Sequence, residues 1–427
     1  MKQRGLYYFV FRAGLCVVGV LPFWKNPGTC WAYEATLSGK EVGTTPLDLK
    51  QLRGGEEESE SLLEFFKRRT RIGAGFKEGF NNNILLQDNR RQEDYISTLE
   101  SAVVFADPRG DLLYGIQYEV NAYRYHRIDR NAIDHDLVTF ADFDTGGRFQ
   151  FHLEHVLVAK NSLVLGAETG DILRRSPDFQ RTVEHVGLGS IRYALNETNA
   201  LVSKMDFSVF DDQSLADAST DRKRLRAIFD LDHDLTRTWT LFGGYSFRDI
   251  SVPGEEGKDS DTHAARLGVR HALGAEGEDL EATLEGQHTE FQEGQSFSDL
   301  GFIGKWTHEA GPRTKLHLAY SDLHDTSFSK GRLRYRTQSP SLKISYQWMP
   351  LIALEAGGAY TRQSSGGKEI FPGSGLHSDI QKLYSLIGAL HWQVREQTRI
   401  HLFYSYNRST SRDYTQHVLH LQFETTF

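Results

Sequence analysis

The sequence predicts an all-β fold, a transmembrane antiparallel up-and-down β-barrel of about eighteen strands, from three observations. The first is the segment 415–427 (TQHVLHLQFETTF), in which His417, Leu419, Leu421, Phe423, Thr425 and Phe427 form one mostly apolar face. The other face, Val418, His420, Gln422, Glu424 and Thr426, is mostly polar. Period-two alternation of this kind suits a strand with lipid on one side and a wet lumen on the other. The second observation is that the same alternation recurs back to about residue 71, which a single soluble edge strand would not explain. The third is composition: 39% hydrophobic and 12% aromatic residues, 39 glycines and a mean hydropathy of −0.48, with no long apolar helix after the first thirty residues. A polar average is what a barrel gives, because only every second residue meets lipid.

Residues 1–32 read as a secretory signal peptide. Lys2, Arg4 and Arg12 precede the apolar run Ala13 to Phe23, and a small-residue site follows at Cys30-Trp31-Ala32. The run holds about eleven residues and is broken by Pro22, short of the roughly twenty that span a bilayer. Cleavage before Tyr33 removes both Cys16 and Cys30, so the mature chain is expected to have no disulfide or thiolate chemistry. Residues 33–70 carry the acidic run Glu56 to Glu60, then Leu62, Leu63, Phe65 and Phe66, then Lys67-Arg68-Arg69. They read as a periplasmic N-terminal extension, either a solvated leader, a lumen plug or a docking peptide for a periplasmic secretion partner.

Residues 71–427 form the barrel domain. Short turns are expected at 107–110, 159–161, 196–199, 234–237, 274–278, 308–313, 349–350 and 395–397, most with the Asp, Asn, Gly or Pro that tight turns favour. Longer polar connections are expected near 81–93, 126–136, 173–180, 211–221, 250–262, 291–296, 324–332, 363–379 and 409–414. Eight short and nine long connections give eighteen strands, or sixteen if one strand has been divided in two. The asymmetry is that of an outer-membrane barrel with short periplasmic turns, long outer loops and both termini inside. The stretch 136–157 is ambiguous, since it reads either as one long strand or as two short ones around Gly146-Gly147. Trp239, Trp306, Trp348 and Trp392 all fall on the apolar parity near the expected periplasmic ends, as an interfacial girdle requires. Leu419, Leu421, Phe423 and Phe427 form the C-terminal signature, expected to engage the barrel-assembly machinery, and the barrel as a whole is expected to meet outer-membrane lipid and lipopolysaccharide.

Parity also sorts the charged residues. Arg224, Arg226, Arg248, Arg266 and Arg270 face inward on three consecutive strands, and Lys305, Lys315 and Lys343 follow on strands twelve to fourteen. At about 4.8 Å between strands the arginines form a basic patch roughly 10–15 Å wide. Guanidinium forks bind carboxylates, and a ladder of them selects anions. Alternatively Asp206, Asp230, Glu281 and Glu285 pair with these arginines and brace the wall. Enzyme motifs are weak. Phe151-His152-Leu153-Glu154-His155 places its histidines on opposite faces of a strand, where they cannot share a metal, and Gly187 to Ser190 lacks the turn of a nucleophile elbow. The reading is therefore no enzyme, no metal, no cofactor and no nucleic acid.

Gly75-Phe76-Lys77-Glu78-Gly79-Phe80-Asn81-Asn82-Asn83-Ile84, followed by Asp94-Tyr95-Ile96-Ser97-Thr98-Leu99, resembles the start of the β-barrel porin type 2 family. The likeness continues through Tyr114 to Tyr125 and the segment FDTGGRFQFHL, and more loosely to the C terminus. More loosely still, the chain is similar to the alginate export channel, an eighteen-stranded barrel with an arginine-rich lumen. The resemblance implies an outer-membrane component of an exopolysaccharide system, a monomeric pore passing a polysaccharide made inside the cell. An uptake porin and a non-conducting structural or adhesive barrel are the alternatives.

Overall fold

Alternation sets the architecture. In the computed structural model, which describes residues 69–83, 92–161, 181–212, 221–253, 259–273, 278–292, 294–326, 334–366, 380–410 and 414–426, the chain forms eighteen strands. The first nine are β1 (Thr70–Asn81), β2 (Asp94–Arg109), β3 (Leu112–Tyr125), β4 (Arg130–Asp144), β5 (Phe149–Lys160), β6 (Thr182–Ala194), β7 (Asn199–Asp212), β8 (Arg222–Asp234) and β9 (Trp239–Ser251). The others are β10 (Ser260–Leu273), β11 (Glu278–Phe291), β12 (Ser296–Gly311), β13 (Thr314–Thr326), β14 (Arg334–Met349), β15 (Ile352–Gly366), β16 (Ile380–Arg395), β17 (Thr398–Ser409) and β18 (Tyr414–Thr426). The expected signal peptide, nearly all of the 33–70 extension and Phe427 lie outside the described residues.

Every strand pairs antiparallel with its chain neighbours, and β18 pairs with β1 from Gly73↔Thr426 to Asn81↔Val418. The sheet therefore has no edge, which is how a β structure satisfies all its backbone groups in a solvent without hydrogen-bonding capacity. The outward face is apolar: Leu267 is 64% exposed, Leu300 62%, Leu99 60% and Leu421 52%. The inward face is polar and packed, with Thr98, Asp230, Thr283, Gln363 and Gln422 all buried. Oil faces out and polar groups face in, the inverse of a soluble protein. Leu267 sits at the middle of β10, so Leu267→Arg is expected to destabilise the barrel by about 2–4 kcal/mol. A shift in the midpoint of denaturant unfolding from lipid vesicles measures it, and no shift would place Leu267 away from the hydrocarbon.

The connections alternate in length around the barrel. At one end they are 110–111, 145–148, 195–198, 235–238, 274–277, 312–313, 350–351 and 396–397; at the other they range from four residues (126–129) to twenty-one (161–181). Two of the short turns are closed by their own side chains: Asn196 Oδ1 accepts from the backbone N–H groups of Thr198 and Asn199 at 3.0 and 2.8 Å, and Asp144 Oδ1 accepts from that of Gly147 at 2.8 Å. Gly146 and Gly147 adopt positive φ of 74° and 97°, a conformation that favours glycine.

That turn corrects one expectation. No turn falls at 159–161, because β5 continues through Lys160, which pairs with Thr182 of β6. The ambiguous stretch 136–157 is two strands meeting at 145–148, and the count stays at eighteen because a turn gained there offsets the one lost. Arg148 lies exposed in this turn, with its guanidinium 6.0 Å from the Tyr193 ring. The connection expected at 126–136 is also shorter, since β4 begins at Arg130.

Trp239, Trp306, Trp348 and Trp392 all point outward toward the short-turn ends of β9, β12, β14 and β16, between 36% and 49% exposed. Rings with one polar end settle at a membrane interface, and in outer-membrane barrels the short turns lie on the periplasmic side. Arg69, the first described residue, donates from Nε to Asp107 at 2.6 Å, and Tyr114 donates to the same carboxylate at 2.7 Å. This clasp ties the start of β1 to the periplasmic-end residues of β2 and β3.

Candidate functional site in the lumen wall

The inner wall of β6–β13 is built in rows, because antiparallel register puts side chains of the same parity side by side. In one row Asp230 and Arg266 both stand opposite Gly244, from β8 and β10 respectively. A side chain at Gly244 would collide with Asp230, its Cβ falling 2.2 Å from Oδ1, and also with the backbone carbonyl of Phe229. The missing side chain lets Arg266 Nη1 cross β9 and reach Asp230 Oδ2 at 3.0 Å, while its Nε lies 3.3 Å from Glu285 on β11. Both members of the pair are almost wholly removed from solvent, at 5% and 1% side-chain exposure.

The next row toward the periplasm repeats the plan with an aromatic floor. Phe242 stands between Asp232 and Gly268, and its ring occupies the space a Cβ at Gly268 would need. Arg270 lies 4.1 Å above the Phe242 centroid and donates to Asp232 at 3.1 Å. Arg192 of β6 reaches the same carboxylate at 3.2 Å. Guanidinium stacked on a ring face and hydrogen-bonded at its edge is held in both dimensions.

Toward the outer end, Arg224 pairs with Asp206 at 3.4 Å, Arg226 approaches Glu285 at 3.9 Å and Arg248 reaches Asp325 of β13 at 2.9 Å. Arg226 and Arg248 stand directly opposite each other, a repulsive juxtaposition offset by these two carboxylates. Arg222 adds a contact to Glu184 at 3.8 Å, its guanidinium 5.0 Å from the Phe210 ring. The five arginines expected from parity are thus brought together, and each has an acidic partner. The pairs named join strands no more than four apart, so they run along the wall.

The predicted lysines are placed inward as well. Lys305 stands opposite Glu281, Lys315 contacts Glu309 at 2.7 Å, and Lys343 contacts Glu355 at 2.9 Å. Lys343 opens a second polar band that sequence reasoning missed. Glu355 lies 3.5 Å from His391, His391 and His401 face each other with Nδ1 atoms 2.6 Å apart, and His401 lies 3.7 Å from Glu424. One strand beyond β18's neighbour β1, Glu100 accepts from Gln422 at 2.8 Å. The signal was parity on β16 and β17, obscured by treating the histidines singly. His152 faces inward, 3.5 Å from Asp142, while His155 faces outward beside His185, as opposite parities require.

A closed eighteen-stranded sheet with an apolar exterior, a tryptophan belt at its short-turn end and a charge-lined interior defines a bacterial outer-membrane β-barrel. Its place is the outer membrane. Among solved structures the chain is similar to the outer membrane protein opdK from Pseudomonas aeruginosa, at 10% identity and a TM-score of 0.48, over 84% of this chain and 99% of that one. It is similar to the FrpB iron transporter from Neisseria meningitidis at 10% identity and a TM-score of 0.45, over 79% of this chain, which spans only 62% of the transporter's length. The siderophore receptor PirA from Pseudomonas aeruginosa matches at 10% identity and a TM-score of 0.43, over 84% and 80% of the two chains. No family model and no curated protein sequence matches.

Proposed function

We propose that the barrel is a passive outer-membrane export channel for an acidic exopolysaccharide, as the resemblance to the β-barrel porin type 2 family implies. The observation that carries the reading is the lattice of arginine–carboxylate pairs on β6–β13, floored by Phe242. A sugar acid sliding past exchanges with wall carboxylates one at a time for the more exposed guanidinium groups, such as that of Arg224. Many weak sites allow both entry and exit, which one tight pocket would not. Pairing also keeps the wall from holding a polyanion as tightly as bare arginines would. The extension 33–70 has the acidic, apolar and basic blocks of a docking peptide for a periplasmic secretion partner.

Single-channel recording in planar bilayers tests this. The wild type is expected to conduct, and a polyuronate added on the periplasmic side is expected to produce transient blockades. In Arg224→Ala/Arg248→Ala the pore is expected to stay open, become more cation-selective as Asp206 and Asp325 lose their partners, and lose the blockades. Conduction with small-solute passage but no polymer blockade in the wild type would favour an uptake porin. No conduction at all would mean a structural or adhesive barrel.

A further inference from the structure

The outer surface of β13–β17 is indented. A groove of about 810 Å³ runs down it, walled by Leu318, Leu342 and Leu386 and by Tyr360, Tyr384 and Tyr406. Two residues hollow it. Pro340 has no N–H for the ladder, and the β14–β15 pairing skips Ser339 and Pro340. Gly358 contributes no side chain beside Leu386.

The end of the groove nearest the extracellular rim is capped by cations. Arg362 and Lys382 stand directly opposite each other on β15 and β16, and Arg408 on β17 stands opposite Tyr384. All three have the outward parity of the tyrosines, and Arg362 and Arg408 are exposed. Among the described residues, none of the three has a carboxylate within ion-pair distance. At the groove's flank Arg336 is held by Asp322 at 2.7 Å. The outward charges near the same rim on β9–β11 have the opposite sign: Asp249, Asp261 and Glu290 stand in register across three strands. The basic row by the groove thus contrasts in sign with the register on β9–β11.

We infer that this groove and its cap bind one multiply acylated, phosphate-bearing glycolipid of the outer leaflet, with acyl chains against the tyrosines and leucines and phosphates on Arg362, Lys382 and Arg408. Three cations on adjacent strands, about 5–10 Å apart, match more than one phosphate, where an ordinary phospholipid offers one. A second copy of this chain fits poorly, because a two-fold contact would press the same cations against themselves in a low-dielectric setting. The site is independent of what the lumen passes.

The test is native mass spectrometry of the full chain, refolded in detergent and titrated with bis-phosphorylated lipid A, its dephosphorylated form and phosphatidylglycerol. Retention of the bis-phosphorylated lipid is expected to exceed that of the other two at least ten-fold. Arg362→Glu/Lys382→Glu/Arg408→Glu is expected to lose it ten-fold or more. Gly358→Leu, which fills the groove but leaves the cations, is expected to lower retention of all three lipids, and Asp261→Asn to change nothing. Equal retention of the three lipids by the wild type would overturn the assignment, as would unchanged retention in the triple variant. A dimer or trimer without lipid adduct, abolished by Gly358→Leu, would overturn it in favour of a copy-to-copy interface.

Discussion

Removal of residues 414–427 is expected to abolish the barrel outright, with no folded species surviving at reduced stability. β18 joins β17 and β1, so its loss strips the ladder from Thr398↔Thr425 to Ser409↔Tyr414 on one side and from Gly73↔Thr426 to Asn81↔Val418 on the other. The seventeen remaining strands cannot re-close in the same pattern. In an up-and-down meander β1 and β17 run in the same direction, so their pairing would be parallel while every other pair is antiparallel. The alternative is two edges whose N–H and C=O groups face hydrocarbon at several kcal/mol each. The readout is the cold-SDS gel shift that separates folded from heated barrels, together with protease resistance in vesicles. Complete loss of both is expected, and a surviving shifted, protected band would mean that closure does not depend on β18.

The strand count and the two faces were legible because each membrane strand meets lipid on one side only, so alternation persists even where single positions vary. It blurred where the inner wall is itself apolar. On β4 and β5 the inward residues include Val138, Phe140, Val156 and Val158, and Phe140 lies across Gly115. With apolar side chains on both parities, the Gly146-Gly147 turn lost its contrast and the segment Ala159-Lys160-Asn161 took its place in the reading. The arginines followed from parity alone. Their partners did not, because Arg266–Asp230 and Arg270–Asp232 skip a strand and Arg248–Asp325 skips three. Such leaps depend on how sharply the wall curves and on small residues such as Gly244 in between. Neither is written in the spacing of one strand. The basic row on β15–β17 escaped notice for a related reason: its members are distant in sequence and become neighbours only through register.

Arg266→Met is expected to destabilise the barrel by about 3–5 kcal/mol, because it leaves the Asp230 carboxylate buried against Gly244 with its nearest cation gone. The cost is that of a stranded charge more than of a lost attraction. Adding Asp230→Asn removes that charge without changing shape, so the double variant is expected to regain most of the loss although it contains one substitution more. Glu285 loses its contact with Arg266 Nε in both variants and keeps Arg226, so that loss is common to the two and the recovery on adding Asp230→Asn reports the Asp230 charge. Denaturant midpoints for the wild type, both single variants and the double variant complete the cycle. A double variant as unstable as Arg266→Met would show that Arg266 acts by filling space above Gly244. Bilayer recordings of the same set separate bracing from conduction: Arg266→Met is expected to shift selectivity toward cations and the double variant to restore it, so stability and selectivity move together only if this row both braces the wall and faces the permeating ions.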